Sequence, residues 1–549
     1  MPVTLACGFT PLHLSTFLGA HMQQRLPGRR VQVSTGLYGD LAGRLESLSQ
    51  ADGIALVIEW SDLDPRLSFR STGAWGASAV NDILSSLPLV LQRIKAALET
   101  IPRTTPVAVC MPTLPLAPLF HTPGWEASEA ELALDDILAT FACELQSLPS
   151  VRVVNARRLA EESAPAQRFD LRSDLLTGLP YTIGHADAVA AALAQLLLPP
   201  PPKKGLITDL DDTLWSGLVG ELGPAYVTWD LASHTARHGV YQKLLAAFAQ
   251  EGVLVAVASK NDATVVQQAL QRDDILIPAS SLFPMEVHWN AKSGSVARIL
   301  QTWNISADSV VFVDDSPLEL AEVAAAHPGI ECIQFGGYEM LRRLRDLFGK
   351  SCLSEEDSLR ASSIRRATEF NAASQTGSSP EDFLKSLNAV VSFDFPEEPD
   401  ARSMELVNKT NQFNLNGIRY TEAEWAKKLL LNDSLFVAVS YEDKFGPLGK
   451  IAVLQGQQRG RKLHLDVWVL SCRAFARRIE HQCLRMLFDR YAVDAIEFSF
   501  AKTAKNGPLI EFLSAVSACD GVLSRDQFQQ SCPPLYHAVK DTRRVEVNG

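Results

Sequence analysis

Three carboxylates fall within four positions of the stretch DLDDTLWSG (209–217), directly after the apolar run GLIT. Asp209, Asp211 and Asp212 thus stand at the end of what reads as a buried strand, where unpaired charge is most costly. Carboxylates crowded in this way repel one another unless they share a hard divalent cation such as Mg²⁺, which prefers oxygen ligands. Further polar sites follow in the order Ser259, Lys292 and Asp314-Asp315, beside or between apolar runs. Taken singly, each has a plain alternative: a D-x-D-x-T arises by chance as a loop or helix cap, and Asp-Asp before Ser-Pro is often a turn. It is the order along the chain that suggests one site.

A site drawn from such distant residues needs a scaffold that gathers strand ends. GLIT (205–208), VLVAVAS (253–259) and SVVFVDD (309–315) read as short buried strands, each followed by a helical pattern, which implies βαβ units and a parallel sheet. Parallel sheets collect functional groups at the carboxyl ends of their strands. Asp209 and Asp211, Ser259, and Asp314 with Asp315 fall at such ends, and Lys292 lies in a loop or helix start between the last two strands. The stretches from Asp211 to Ser259 and from Ser259 to Lys292 leave no room for a large cap domain. An open pocket, able to admit a large partner, is therefore expected.

The whole chain has 549 residues, 46% apolar and 21% charged, enough for roughly three domains of about 150 residues each. A net charge of -12 argues against a general nucleic-acid binder, which needs a basic face. Nine cysteines without C-x-x-C or Cys/His metal spacing suit a reducing compartment, and the expected location is cytoplasmic. No targeting segment is read at the N-terminus. The greasiest segment, VAAALAQLLL (189–198), stops at a proline run and falls short of the ~20 residues of a membrane span, so no membrane association is expected. That run, Pro199 to Pro202, marks one boundary, and the polar stretch around 352–381 marks a softer one. The expected domains are 1–200, 201–352 and 353–549.

Asp, Ser, Lys and Asp-Asp in this order resemble the four motifs of the haloacid dehalogenase (HAD) superfamily of phosphoryl-transfer enzymes. The resemblance implies that Asp209 is a nucleophile that becomes an aspartyl-phosphate, and that Asp211 protonates the leaving oxygen and then deprotonates water. It also implies that Thr213 and Ser259 hydrogen-bond the phosphoryl group, that Asn261 binds substrate, that Lys292 offsets charge, and that Asp209, Asp211, Asp314 and Asp315 hold Mg²⁺. Asp212 has no role assigned. KGLITDLDDTLWSGLVGE, ASKND (258–262), EVHWNAKSGSVARIL (286–300) and VFVDDSPLEL (311–320) resemble more narrowly the FkbH-like glyceryl transferase/phosphatases of polyketide pathways. LVNKTNQFNLNGIRYTEAE (406–424) and VWVLSCRAFARRIEHQCLRML (467–487) are similar to that family's acyltransferase-like region. Such enzymes are understood to take D-1,3-bisphosphoglycerate, remove phosphate and leave glyceryl as a thioester on a phosphopantetheinylated acyl carrier protein.

The expected fold class is α/β in three domains: an SGNH-like Rossmannoid, a capless HAD-like doubly wound sheet, and a GNAT-like α+β domain. In the last, strands are read at 435–443, 449–457, 462–471 and 495–501, with a helix from about 473. The GNAT comparison puts pantetheine near the end of the strand at 462–471. Arg473, Arg477 and Arg478 form a basic cluster there that an acidic carrier or a phosphopantetheine phosphate could meet; an ordinary solvated helix face is the competing reading. Cys472 is the candidate thiol for an acyl-enzyme, against a buried structural cysteine. Ala258 stands where some relatives carry Cys, so no thiol is expected beside the phosphate site. The first domain lacks the G-D-S serine, and His185 near Asp187 does not fit D-x-x-H, so it reads as a non-hydrolytic docking module. Alternatives to the glyceryl transferase are a plain Mg²⁺-dependent phosphatase acting on a sugar or protein phosphate, and a catalytically idle scaffold.

Overall fold

The structure is a computed structural model that describes residues 1–541 apart from 47–50, 71–76, 118–123, 351–361, 363, 366–379, 397–399, 411, 430–433, 472–473, 504–505, 517 and 519–520. Contacts divide the chain within the proline run into two compact units, Met1–Pro200 and Pro201–Gly549. The softer boundary at 352/353 lies outside the described residues. Among the described residues no helix is long and apolar enough to cross a membrane.

The first unit is built on five parallel strands, Pro2–Ala6 (β1), Gln32–Thr35 (β2), Gly53–Val57 (β3), Val107–Cys110 (β4) and Val151–Val153 (β5), in the order β2-β1-β3-β4-β5. β3 and β4 are apolar and buried at every residue, the mark of strands covered on both faces. Alternate residues feed two cores: Val107 and Val109 pack with Leu87 and Phe141, Ala108 and Cys110 with Leu18 and Leu193.

Two sheets make up the second unit. One has five parallel strands, Gly205–Thr208 (β6), Leu254–Ser259 (β7), Leu282–Val287 (β8), Val310–Asp314 (β9) and Glu331–Gln334 (β10), ordered β10-β9-β6-β7-β8. The three strands expected from sequence are β6, β7 and β9, at the centre of the sheet. Between β6 and β7 the chain forms only the short helix Val219–Leu222 and the helix Ala236–Gln250, so no cap domain is present, as the spacing implied.

The other sheet is mixed and seven-stranded: Val390–Asp394 (β11), Ser434–Asp443 (β12), Gly446–Arg459 (β13), Lys462–Leu470 (β14), Ala495–Phe498 (β15), Val522–Ser524 (β16) and Ala538–Asp541 (β17), ordered β16-β15-β14-β13-β12-β11-β17. β14 and β15 run parallel, joined through the helix Ile479–Tyr491. They pair only over Lys462–Leu465 and Ala495–Phe498. Beyond that point the segment 413–416 enters: Leu415 N–H donates to Trp468 O, Leu470 N–H to Phe413 O, and Ala501 N–H to Leu415 O, each at 3.1 Å. Asn416 Nδ2 adds bonds to Asp466 O at 2.9 Å and Ser499 O at 3.2 Å.

The two sheets of this unit are tied at Glu405 in the helix Ala401–Lys409. Its carboxylate lies 2.7 Å from Arg402, 3.0 Å from Lys409 and 3.8 Å from Lys204, the residue before β6. Burial raises the Glu405 carboxyl, but the charges of Arg402, Lys409 and Lys204 outweigh it and hold it well below the usual range. A folded-state pKa depressed in this way adds stability above the unfolded pKa, and that gain is lost as pH falls through the folded value. Glu405→Gln is therefore expected to cost roughly 2–3 kcal/mol at pH 7. In urea unfolding of both chains the difference should shrink as pH drops below about 4; a difference that does not change with pH would contradict the ion-pair origin.

Candidate metal centre

All five strands of the parallel sheet direct their carboxyl ends to one edge, where the turn after β6, the end of β7, the helix after β8 and the end of β9 meet. Asp209 is pinned there by its own N–H, which donates to Val313 O at 3.0 Å. Lys292 opens the helix Lys292–Trp303 and is 4% exposed. Its Nζ donates to Asp314 Oδ2 at 2.6 Å and lies 3.0 Å from Asp209 Oδ2. Asp314 Oδ1 accepts from Ser316 N–H at 2.9 Å, which fixes the carboxylate plane. Asp209, Asp314 and Asp315 each offer a carboxylate oxygen, and these oxygens lie within 4.8 Å of one another.

Burial drives the electrostatics. It pushes Asp209 above the ordinary carboxylate range, Lys292 pulls it back, and Asp314 pushes it up again. Asp314 and Asp315 are raised as well, chiefly by burial. Burial disfavours the Lys292 ammonium, but Asp209 and Asp314 outweigh that and raise its pKa. Among the described residues one ammonium thus faces three gathered carboxylates, and the buried Asp209 Oδ1 has no hydrogen-bond partner. A divalent cation would match both the charge deficit and the orphaned oxygen, and an all-oxygen donor set suits Mg²⁺.

The Asp211 side chain, expected among the metal ligands, stands outside this group. Its Oδ1 accepts from Trp215 Nε1 at 2.8 Å and Val219 N–H at 3.1 Å, and its Oδ2 from Asn261 Nδ2 at 3.1 Å. Three donors therefore turn that carboxylate away from the other acids. Asn261, expected to bind substrate, spends its amide on Asp211 and on Ser259 Oγ, also at 3.1 Å, and so couples the two. Thr213 is fully buried and its Oγ1 has no partner among the described residues, leaving a hydroxyl available to a ligand. Behind it, His238 Nδ1 bonds Thr213 O at 2.9 Å and Tyr241 OH donates to Thr208 Oγ1 at 3.1 Å. Sequence reasoning did not reach His238 or Tyr241, which lie in the helix Ala236–Gln250 and belong to no motif. Trp215 lies within the motif KGLITDLDDTLWSGLVGE, and its position four after Asp211 is the signal for its contact.

The distal expectations fare differently. Cys472 and Arg473 lie outside the described residues. Arg477 is 2% exposed and 3.3 Å from Asp443, so it packs inside the unit and is not part of a surface for an acidic partner. Pantetheine was expected at the end of β14; among the described residues, Trp468 O and Leu470 N–H there are paired with the chain's own 413–416 segment. In the first unit, His185 is held by Thr113 Oγ1 at 2.8 Å and Ser163 Oγ at 2.9 Å, while Asp187 pairs with His21. Burial, reinforced by Asp62, pushes the Cys7 thiol up to about 12, which makes it a packing residue.

A solved structure shares this fold. It is the crystal structure of the N-terminal part of the protein BF1531 from Bacteroides fragilis, containing a phosphatase domain complexed with Mg. The TM-score is 0.50 at 18% sequence identity, over 64% of this chain and 94% of that one. The likeness supports the mixed α/β architecture with its HAD-like parallel sheet, and at this identity it concerns the fold alone. No family model and no curated protein matches the sequence.

Proposed function

We propose that the second unit is a Mg²⁺-dependent phosphatase of the HAD type. The observation that carries this is the pair of bonds from Lys292 Nζ to Asp209 and Asp314, beside an Asp209 oxygen left without a partner among the described residues at the carboxyl edge of the sheet. That BF1531 was crystallised with Mg supports the choice of metal. Asp209, Asp314 and Asp315 would hold the cation, which would draw charge from the phosphoryl oxygens.

The chain's own groups do the rest. Asp209 attacks phosphorus, so that its O–P bond forms as the bond to the leaving oxygen breaks, and Asp211 gives that oxygen a proton. Water then attacks the aspartyl-phosphate, Asp211 takes the water's proton, and inorganic phosphate leaves. Thr213 Oγ1 and Ser259 Oγ donate to the phosphoryl oxygens, and Lys292 keeps Asp209 anionic. Asn261 and Trp215 hold Asp211 in line with Ser259 rather than at the metal.

The finer reading follows the FkbH-like resemblance: the substrate is D-1,3-bisphosphoglycerate, and the glyceryl group passes to the thiol of a phosphopantetheinylated acyl carrier protein. The capless site is consistent with a substrate delivered by, or passed to, a large partner. Incubating the protein with Mg²⁺, 1,3-bisphosphoglycerate and a pantetheinylated carrier, and weighing the carrier intact, tests both levels. A glyceryl mass gain, abolished by EDTA, is expected. Free phosphate with an unmodified carrier would leave a plain phosphatase, and no phosphate at all would remove the whole reading.

A further inference from the structure

A second constellation lies on the face of the seven-stranded sheet opposite its main core, beside the helix Glu422–Leu429. β14 and β15 are in parallel register with His464 opposite Glu497, and Ser499 N–H continues the ladder to Leu465 O at 2.8 Å. Side chains two residues apart share a face, so His464 and Asp466 on β14 stand beside Glu497 and Ser499 on the neighbouring chain segment. All four are half-buried. Ser499 Oγ lies 3.0 Å from His464 Nε2, while His464 Nδ1 faces Glu497 Oε2 at 3.7 Å. The ring thus stands between a hydroxyl within hydrogen-bond distance and a carboxylate, itself paired with Lys462 at 2.7 Å, whose charge favours an imidazolium.

We propose that Ser499 is an acyl-accepting nucleophile, with His464 as its base and Glu497 as the residue that orients the imidazole. Asp466 sharpens the arrangement. Its Oδ1 is 2.9 Å from Ser499 Oγ and 3.5 Å from His464 Nε2, while its Oδ2 is bound by Lys428 Nζ at 2.8 Å. Two acceptors thus compete for one hydroxyl proton. Burial raises the Asp466 carboxyl, but its bonds to Lys428 and Ser499 outweigh that and hold it below the ordinary carboxylate range, which makes Asp466 a poor base. The imidazolium formed on proton transfer then sits between Asp466 and Glu497, two carboxylates that favour its charge.

The step balances without a metal. Ser499 Oγ adds to the carbonyl of an activated acyl donor such as a thioester or acyl phosphate, and its proton passes to His464 Nε2. The C–O bond to serine forms as the bond to the thiol or phosphate breaks, and His464 returns the proton to a thiolate leaving group. The ladder between β14 and β15 fixes His464 and Glu497 through the backbone, and the bond from Ser499 N–H to Leu465 O holds Ser499 beside them. The inference is independent of the phosphatase reading, since none of these residues belongs to the metal centre.

A fluorophosphonate probe tests it on the full chain. Ser499 Oγ should displace fluoride from phosphorus, giving one stable adduct that peptide mass mapping places on Ser499. Ser499→Ala should remove it, and His464→Asn should slow it roughly 100-fold with circular dichroism unchanged. Glu497→Gln should slow labelling about tenfold and move its pH profile, a readout that mere packing would not shift. Asp209→Asn and Cys472→Ala should both leave the adduct in place. No adduct on Ser499 in a natively folded chain, or labelling indifferent to His464→Asn, would overturn the proposal.

Discussion

Asp209→Asn should lower phosphate release by roughly ten-thousand-fold or more and leave far-UV circular dichroism unchanged. The substitution exchanges one charged oxygen for a neutral amide of nearly the same volume, so packing around the β6 turn is retained. The lost step is the chemistry: an amide nitrogen does not form an acyl phosphate, and the reaction has no first intermediate. The expectation rests on Asp209 Oδ1, buried and without a hydrogen-bond partner, while Oδ2 is engaged by Lys292. Asp314 could not serve in its place, because Ser316 N–H and Lys292 occupy its two oxygens. Phosphate release from acetyl phosphate in Mg²⁺, measured for both chains, decides the matter; a variant that turns over at a tenth of the native rate would exclude Asp209 as nucleophile.

How much of this was legible beforehand depended on where the information sits. Asp209, Lys292 and Asp314 could be read because the central strands β6, β7 and β9 are unbroken apolar runs, and parallel topology brings the residues after such runs together. β8 and β10 could not: they are half-exposed edge strands with interrupted apolar patterns, and β8 carries Pro284, which an edge strand tolerates. The sequence also treats every acid in DLDD alike. Only the fold shows that Trp215, Val219 and Asn261 draw Asp211 out of the group formed by Asp209, Asp314 and Asp315. Arg477 looked like part of a solvated basic cluster because the buried Asp443 that neutralises it is 34 residues away. His464, Glu497 and Ser499 carry no motif at all, since their meeting depends on the register of two strands separated by a whole helix.

Lys292→Met separates the electrostatic from the chemical role of the metal centre. Methionine retains most of the apolar stem and removes the ammonium, leaving Asp209, Asp314 and Asp315 gathered with no buried cation. Breaking a buried pair by deleting one partner costs about 3 kcal/mol or more, so the variant should melt well below the native chain in EDTA. Magnesium should then recover more stability in the variant than in the native protein. The cation replaces charge compensation that Lys292 otherwise supplies, and its binding to the folded state adds RT ln(1 + [L]/Kd). Activity is a different matter, because Lys292 also meets the charge that develops on the phosphoryl group. A loss of roughly 10²–10³-fold should persist at saturating Mg²⁺ even where the melting temperature has returned. The two readouts therefore part: saturating metal restores the variant's thermal stability while its turnover stays far below the native rate. Equal magnesium-dependent shifts in the two chains would mean that the three carboxylates do not share a cation with Lys292, and the site would lose its electrostatic logic.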